Sequence, residues 1–250
     1  MNLFLKGEIM SMAQLKYKRV LLKISGEALA GDKHFGFDFD VVSKVCDVIK
    51  KCTDMGVQMG VVIGGGNFWR GVKNGEGYIE RTRADHMGML ATAMNCMAVA
   101  DVLEQKGVDV RVQTALNMIS IGEPLVMRKA LRHFEKGRIV IFACGTGHPY
   151  CSTDTAAALR ACEISADVLL MAKNVDGIYD SDPKTNPAAK KYDKLTYNDI
   201  VNQGLKVIDS TAATMCMENG VPTLAFGLNE KDSILRAVCG EKIGTLISAE

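Results

Sequence analysis

Val57-Gln58-Met59-Gly60-Val61-Val62-Ile63-Gly64-Gly65-Gly66-Asn67 is an apolar, β-branched run that stops on three consecutive glycines. The run reads as a buried strand, and the glycines remove every Cβ from the backbone that follows it, so something approaches that backbone closely. Just upstream, residues 38–55 have helical spacing and end at Gly56, and residues 19–24 form an earlier buried strand. Downstream the alternation continues. Helices are predicted over 85–105, 124–134, 153–162 (capped by Ser152 or Thr153), 209–219 and near Ser233, and strands over 108–112, 138–143, 168–172, 223–226 and 245–248. A polar segment, 176–193, is too long for a plain connector. Strands separated by helices imply an α/β protein with a largely parallel sheet covered on both faces, whose ligands gather beyond the carboxyl ends of the strands.

Composition narrows the class. The chain has 250 residues, 48% hydrophobic and 24% charged, enough to bury a sizeable core. With 30 Lys+Arg against 29 Asp+Glu there is no global field to condense on nucleic acid or an anionic membrane, so neither is expected as a partner and any anion is bound locally. No linker divides the sequence, which predicts one domain over 17–250 behind a flexible polar tail at 1–16, with Met10 or Met12 as alternative starts. The charged opening does not read as a signal peptide, and no apolar run approaches the roughly 18 residues of a membrane span, so a cytoplasmic location is expected. None of the eight cysteines forms a C-x-x-C pair, and most read as buried thiols.

Four loops after strands carry the chemistry. The first, Lys23-Ile24-Ser25-Gly26-Glu27, places a lysine in an apolar strand. It reads either as a strand-end side chain reaching water or as an ammonium aimed at phosphate. The second, Gly64-Gly65-Gly66-Asn67 with Arg70, favours an anion cradle, Arg70 adding a planar fork for phosphate oxygens. The third, Gly145 to Asp154, mixes hydroxyls, an aromatic ring, a histidine and a carboxylate where a helix starts; Ser152, Thr153 and Asp154 also suit plain capping. The fourth, Asn174 to Pro183, offers Tyr179 and carboxylates suited to a purine and its ribose. Neither a Walker loop nor G-x-G-x-x-G occurs, which argues against a P-loop kinase or a Rossmann dehydrogenase.

Together and in this order the loops resemble those of the bacterial UMP kinases, within the amino acid kinase superfamily. The features that carry the resemblance are Lys23-x-Ser25-Gly26-Glu27-Ala28-Leu29, Gly64-Gly65-Gly66-Asn67 with Arg70-Gly71, Asp85-His86-Met87-Gly88-Met89-Leu90, Thr146-Gly147 through Thr153-Asp154, Val175-Asp176-Gly177, Asp182-Pro183 and Lys206-Val207-Ile208-Asp209. The resemblance spans Tyr17 to Leu246 and implies an α/β/α sandwich that assembles as a homohexamer. It also implies transfer of the ATP γ-phosphoryl group to UMP with Mg²⁺, giving UDP. It puts Lys23, Ile24, Ser25, Gly26, Gly66, Arg70, Lys173, Asn174, Tyr179 and Asp182 at ATP. Gly65, Asp85 and the loop Thr146, Gly147, His148, Pro149, Tyr150, Cys151, Ser152 and Thr153 are put at UMP. Lys23, Arg70, Asp154 and Asp209 are expected in the catalytic machinery, and no protein ligand is assigned to the metal. The stretch Gly31-Asp32-Lys33-His34-Phe35-Gly36 matches a loop linked to GTP activation in part of the family, making GTP and UTP candidate effectors. The chain departs from the pattern at His148 (commonly Asn) and Cys151 (commonly Phe), and Ala100 and Glu104 stand where some members carry basic effector residues.

The residues also fit this chemistry without the family. A nucleoside monophosphate, with a second phosphate pKa of about 6, is already a nucleophile near neutrality and needs no side-chain base. What it needs is cations, which Lys23, Arg70 and Mg²⁺ would supply, with Asp154 and Asp209 orienting Lys23 or water. The four histidines share no ligand spacing, and the methionines at 87, 89, 94 and 97 read as core or subunit interface. A kinase forming an acyl phosphate and a nucleotide-binding sensor without turnover are the competing readings. Asp85 and the third loop weigh against the former, the pair Lys23 and Arg70 against the latter.

Overall fold

The computed structural model describes residues 15–70, 77–183, 185–205 and 207–250. The expected tail up to residue 14, Gly71 of the second motif and Lys206 of the last lie outside the described residues. The strand Arg19–Ile24 (β1) lies between Gln58–Ile63 (β2) and Val168–Lys173 (β6), parallel to both. Beyond β2 come Ile139–Ala143 (β5), Val110–Thr114 (β3) and the two-residue Glu123–Pro124 (β4). Beyond β6 come Thr223–Gly227 (β10), Thr245–Ser248 (β11) and Lys194–Thr196 (β9). Only the β10–β11 pairing is antiparallel in this nine-stranded sheet, so crossovers dominate the connections and helices must cover both faces.

The period-2 pleat divides the core. Leu22, Ile24, Val61 and Ile63 face helices Phe39–Asp54 (α2), Arg81–Gln105 (α3) and Ser233–Val238 (α8). Leu21, Val62 and Met171 face Met127–Glu135 (α4), Thr153–Glu163 (α5), Tyr197–Gln203 (α6) and Ser210–Glu218 (α7). Lys23 shares the second face by alternation, which points it at the N-terminus of α5. The chain runs from β1 outward on one side to β2 and β5, and returns to the other side of β1 with β6, so the order reverses there. Open parallel sheets bind ligands at such a reversal.

The structure differs from the sequence reading in several elements. α3 starts at Arg81, four residues before the expected position. β3 begins at Val110 because the N–H of Val108 is used to close α3 on the Leu103 carbonyl (3.1 Å). Pro124 pairs with Thr114 on the sheet edge, where a missing N–H costs nothing, and α4 begins only at Met127. The long polar segment contains a small hairpin, Ile178–Tyr179 (β7) against Lys191–Tyr192 (β8), fastened to β11 by the Ile178 N–H donating to Thr245 Oγ1 (2.9 Å). β9 and α6 were not anticipated, although Thr196 and Asp199 form a reciprocal capping box. α3 is also long and apolar enough to cross a membrane, contrary to the sequence reading; half of its apolar window is buried inside this protein, as in a core helix.

Candidate active site

Two lysines meet across the reversal. Lys23 near the end of β1 and Lys173 at the end of β6 lie on adjacent parallel strands, and both reach Asp154 in the first turn of α5. Lys23 Nζ is 2.9 Å from Asp154 Oδ1 and Lys173 Nζ is 3.8 Å from Oδ2. The Lys23 contact is within ion-pair reach but lies off hydrogen-bond geometry, leaving Oδ1 buried without a hydrogen bond. Lys173 also donates to the Val207 carbonyl (2.6 Å). Burial holds the Lys173 pKa below its ordinary value against the pull of Asp154, and Lys23 adds to the depression. Lys23 is therefore no snorkelling strand-end residue: it is 8% exposed and shares a carboxylate with a second cation.

The second glycine loop is held by close approach. A Cβ on Gly26 would lie 2.3 Å from the Gly64 carbonyl oxygen, and one on Gly65 would lie 2.9 Å from the Gly88 oxygen of α3. The first loop, the second loop and α3 thus touch backbone to backbone. Arg70 pairs with Glu27 of the first loop. Behind the loop, and not anticipated from sequence, Asn67 and Asn95 form a buried amide pair. Asn67 donates to Asn95 Oδ1 (2.9 Å) and to the Gly36 carbonyl (2.8 Å), and Asn95 donates to Asn67 Oδ1 (2.7 Å) and to the Gly64 carbonyl (2.6 Å). The signal available was an amide in the otherwise small and apolar centre of a helix.

Two cavities open on this loop. One of about 300 Å³ brings together Gly65, Asp85, Thr146, His148, Cys151, Ser152 and Thr153, most of the set expected at UMP, with Gly66 of the ATP set. The other, of about 510 Å³, joins Gly66, Arg70 and Asn174 of the ATP set to Gly31, Asp32 and His34 of the expected effector loop. Gly66 lines both. A further cavity of about 420 Å³ lies beyond Lys173 and Asp154, walled by Ile200, Leu205, Val207 and Asp209.

Asp85 sits in the second turn of α3 and caps nothing. It accepts from the Tyr150 backbone N–H and from Arg81 Nε, both at 2.8 Å, while Arg81 lies over the Tyr150 ring. The third loop is conformationally demanding: Cys144, Gly145, Gly147 and Tyr150 all have positive φ. Gly147 backs onto Ala115, and Pro149 and Tyr150 line neither cavity. Ser152 caps α5 as expected.

Other expected site residues are placed differently. The Ile24 side chain is fully buried and its carbonyl accepts from Gly64 N–H. Ser25 is the N-cap position of the short helix Gly26–Ala30 (α1) without a side-chain cap bond. Asp209 caps α7 through the Ala212 N–H (2.8 Å) and accepts from Thr155 Oγ1 (3.0 Å) and from Ser152, which makes it a tie between α5 and α7 and leaves Lys23 to Asp154. Tyr179 donates to Asp176 (2.7 Å), a bond that raises the tyrosine pKa and lowers that of the carboxylate, and neither Tyr179 nor Asp182 lines these cavities. In the 31–36 loop, Lys33 turns back to the Phe37 carbonyl and Phe35 packs edge-on against Phe68. Cys46, Cys52, Cys96, Cys144 and Cys216 are buried, and burial pushes Cys46 and Cys52 up to about 12, whereas Cys151 is exposed at the smaller cavity.

Residues 18–226 match the amino acid kinase family. The chain belongs to that family. Among solved structures it is similar to a UMP kinase from Bacillus anthracis, at 38% identity and a TM-score of 0.90 over 94% of this chain and 97% of that one. It is similar to a UMP kinase from Ureaplasma parvum at 36% identity and a TM-score of 0.88, over 94% of this chain and 100% of that one. A uridylate kinase from Archaeoglobus fulgidus shares 29% identity at a TM-score of 0.73, over 91% and 99%. The amino acid kinase fold thus accounts for the β1–β6 reversal and for the loops assembled at it.

Proposed function

We propose that this amino acid kinase family member is a UMP kinase of pyrimidine nucleotide biosynthesis, transferring the γ-phosphoryl group of ATP to UMP and releasing UDP and ADP. The observation that carries the reading is the meeting of two cavities at Gly66, one floored by Asp85 and the third loop, the other by Arg70 and Asn174. Two nucleotides entering from opposite sides would bring their phosphates to a glycine without a side chain to part them. Similarity to UMP kinases over more than nine-tenths of the chain supports uridylate as the acceptor.

In this reading the acceptor phosphate attacks without a side-chain base. Lys23 and Arg70 balance charge spreading over the moving group, and Asp154 fixes Lys23 by their ion pair. Lys173, tethered to Val207, adds a second positive centre on the same carboxylate. Magnesium would arrive on the ATP phosphates; no three carboxylate, thiol or imidazole groups converge among the described residues, and Asp154, beside Lys23 and Lys173, is the group that would orient the ion's water shell. Bound there, the metal would supply further neutralisation of the phosphates. Cytoplasmic location, a homohexamer and GTP or UTP as effectors complete the proposal. α3 offers Met87, Leu90, Met94 and Met97 as an exposed apolar face for assembly, and the 31–36 loop borders the larger cavity. Turnover of ATP against UMP, CMP, carbamate, acetylglutamate and no acceptor tests it: UDP formation is expected, and turnover of only carbamate or acetylglutamate, or of none, rejects it.

A further inference from the structure

Asn95 stands apart from the rest of α3. It is fully buried in the middle of a 25-residue helix, between exposed Met94 and buried Cys96, where an apolar residue would pack more cheaply. Its carboxamide is not idle. Both amide hydrogens and the oxygen are engaged, on Gly64 O, Asn67 Oδ1 and Asn67 Nδ2, and Asn67, 1% exposed, passes the connection on to Gly36 O. Backbone bonds reinforce the chain, since Gly36 N–H donates to the Asn67 carbonyl (3.1 Å) and Gly64 N–H to that of Ile24 (2.9 Å). A satisfied buried network is stiff, because every alternative geometry strands a polar group away from water.

A glycine loop has the opposite tendency. With no side chains of their own, Gly64, Gly65 and Gly66 cannot fix where their backbone lies, yet phosphoryl transfer loses rate steeply when reacting groups are misplaced. We propose that Asn95 is a positioning residue for the reaction: through its bonds to Gly64 and Asn67 it sets the second glycine loop, and with it Arg70, at the point where the two nucleotides meet. It touches no substrate, lying behind the loop and lining neither cavity. The inference rests on the UMP kinase reading for its rate measurement and on geometry alone for its structural one.

The test compares Asn95→Ala and Asn95→Ser with Val99→Ala, one turn along the same helix, where a fully buried core side chain is shortened without touching the loop. Well below each melting midpoint, Asn95→Ala is expected to lower kcat with UMP at least about tenfold with both KM values moved far less, as misplacement of a reacting group can cost up to about a hundredfold. Asn95→Ser, which keeps a donor near Gly64, should recover part of that loss, and Val99→Ala should lower the melting temperature while keeping kcat. Amide exchange supplies the second readout: the Gly36 and Gly64–Asn67 amides should exchange faster in Asn95→Ala, with β1 unchanged. Wild-type protein inactive on UMP would overturn the proposed function and leave the exchange result to judge Asn95. If kcat stays within about twofold of wild type in Asn95→Ala, or falls only in step with melting as in Val99→Ala, or if loop exchange is unaltered, the positioning role is wrong.

Discussion

The second and third loops both follow strands of one sheet and both wall the smaller cavity, yet they are built on opposite principles. None of Gly64, Gly65 or Gly66 takes a positive φ; glycine is needed at 65 because Gly88 and Ala91 come too close for a Cβ, while one at 64 or 66 would sit tightly against Gly26 or the Glu27 side chain. That loop is braced by buried amides from behind. In the third loop the chain itself is contorted, with Cys144 and Tyr150 held at φ of 65° and 64° although neither is glycine. It is fastened from outside, by Asp85 and Arg81 on Tyr150. Non-glycine residues in that region cost of order 1–3 kcal/mol and persist where surrounding contacts impose them. The difference suits a division of labour in which the braced loop holds what every phosphate shares and the contorted loop reads what distinguishes one acceptor from another.

The largest expected effect lies on the braced side. Lys23→Ala and Arg70→Ala should each lower kcat by roughly a hundredfold or more, since one lost preorganised donor typically removes on the order of 3 kcal/mol of transition-state stabilisation. Arg70→Lys should recover only part, because an ammonium lacks the fork. Steady-state kinetics beside thermal melting checks this, and near-normal turnover in either alanine variant would break the division at its first term.

Much of this arrangement was legible in the sequence. β1, β2 and β6 declare themselves as short apolar runs, and Lys23, Gly64 to Gly66 and Asp154 stand at their ends or at a helix start, where a parallel sheet must bind. What could not be read were contacts between distant segments. Asn95 is an undistinguished amide until Gly64 and Asn67 are folded against it, and Asp209, six residues from the end of α6, gives no local hint that Thr155 needs it. Pro124 misled because proline opens helices and also tolerates sheet edges, and only the neighbour at Thr114 selects the edge.

Acceptor choice should be the next largest effect. The third loop's hydroxyls and backbone are expected to match a uracil edge, and a polar group left unpaired by cytosine costs about 1–3 kcal/mol, so kcat/KM for UMP should exceed that for CMP by about tenfold or more. Equal values would show that the contorted loop reads nothing. A smaller effect is expected at Asp85. Asp85→Asn and Asp85→Ala should raise the UMP KM several-fold with little change in the ATP KM, since the carboxylate faces the smaller cavity and fastens only the third loop. Parallel rises in both KM values would mean that the two loops do not act separately.

The smallest effect concerns Lys173, which sits on the braced side yet is a burden to the fold. Burial depresses its folded pKa below the 10.5 of an ordinary lysine, so between the depressed value and 10.5 the unfolded chain binds more protons than the folded one, and stability rises with pH across that window. Below the window the protonated side chain is carried at a cost, softened by Asp154 and Val207. Lys173→Met removes the titrating group. Relative to this variant, wild-type protein should therefore gain stability as pH climbs from neutrality towards 10, by an amount on the order of 1 kcal/mol for each pKa unit of depression. Chemical denaturation of both proteins at a series of pH values measures it. A constant difference would mean that Lys173 keeps an ordinary affinity for its proton in the folded state, and that the charge cluster at the strand ends is carried without strain. A difference that narrows as the wild type gains, together with reduced turnover in the methionine variant, would place the cost of Lys173 and its use in the same side chain.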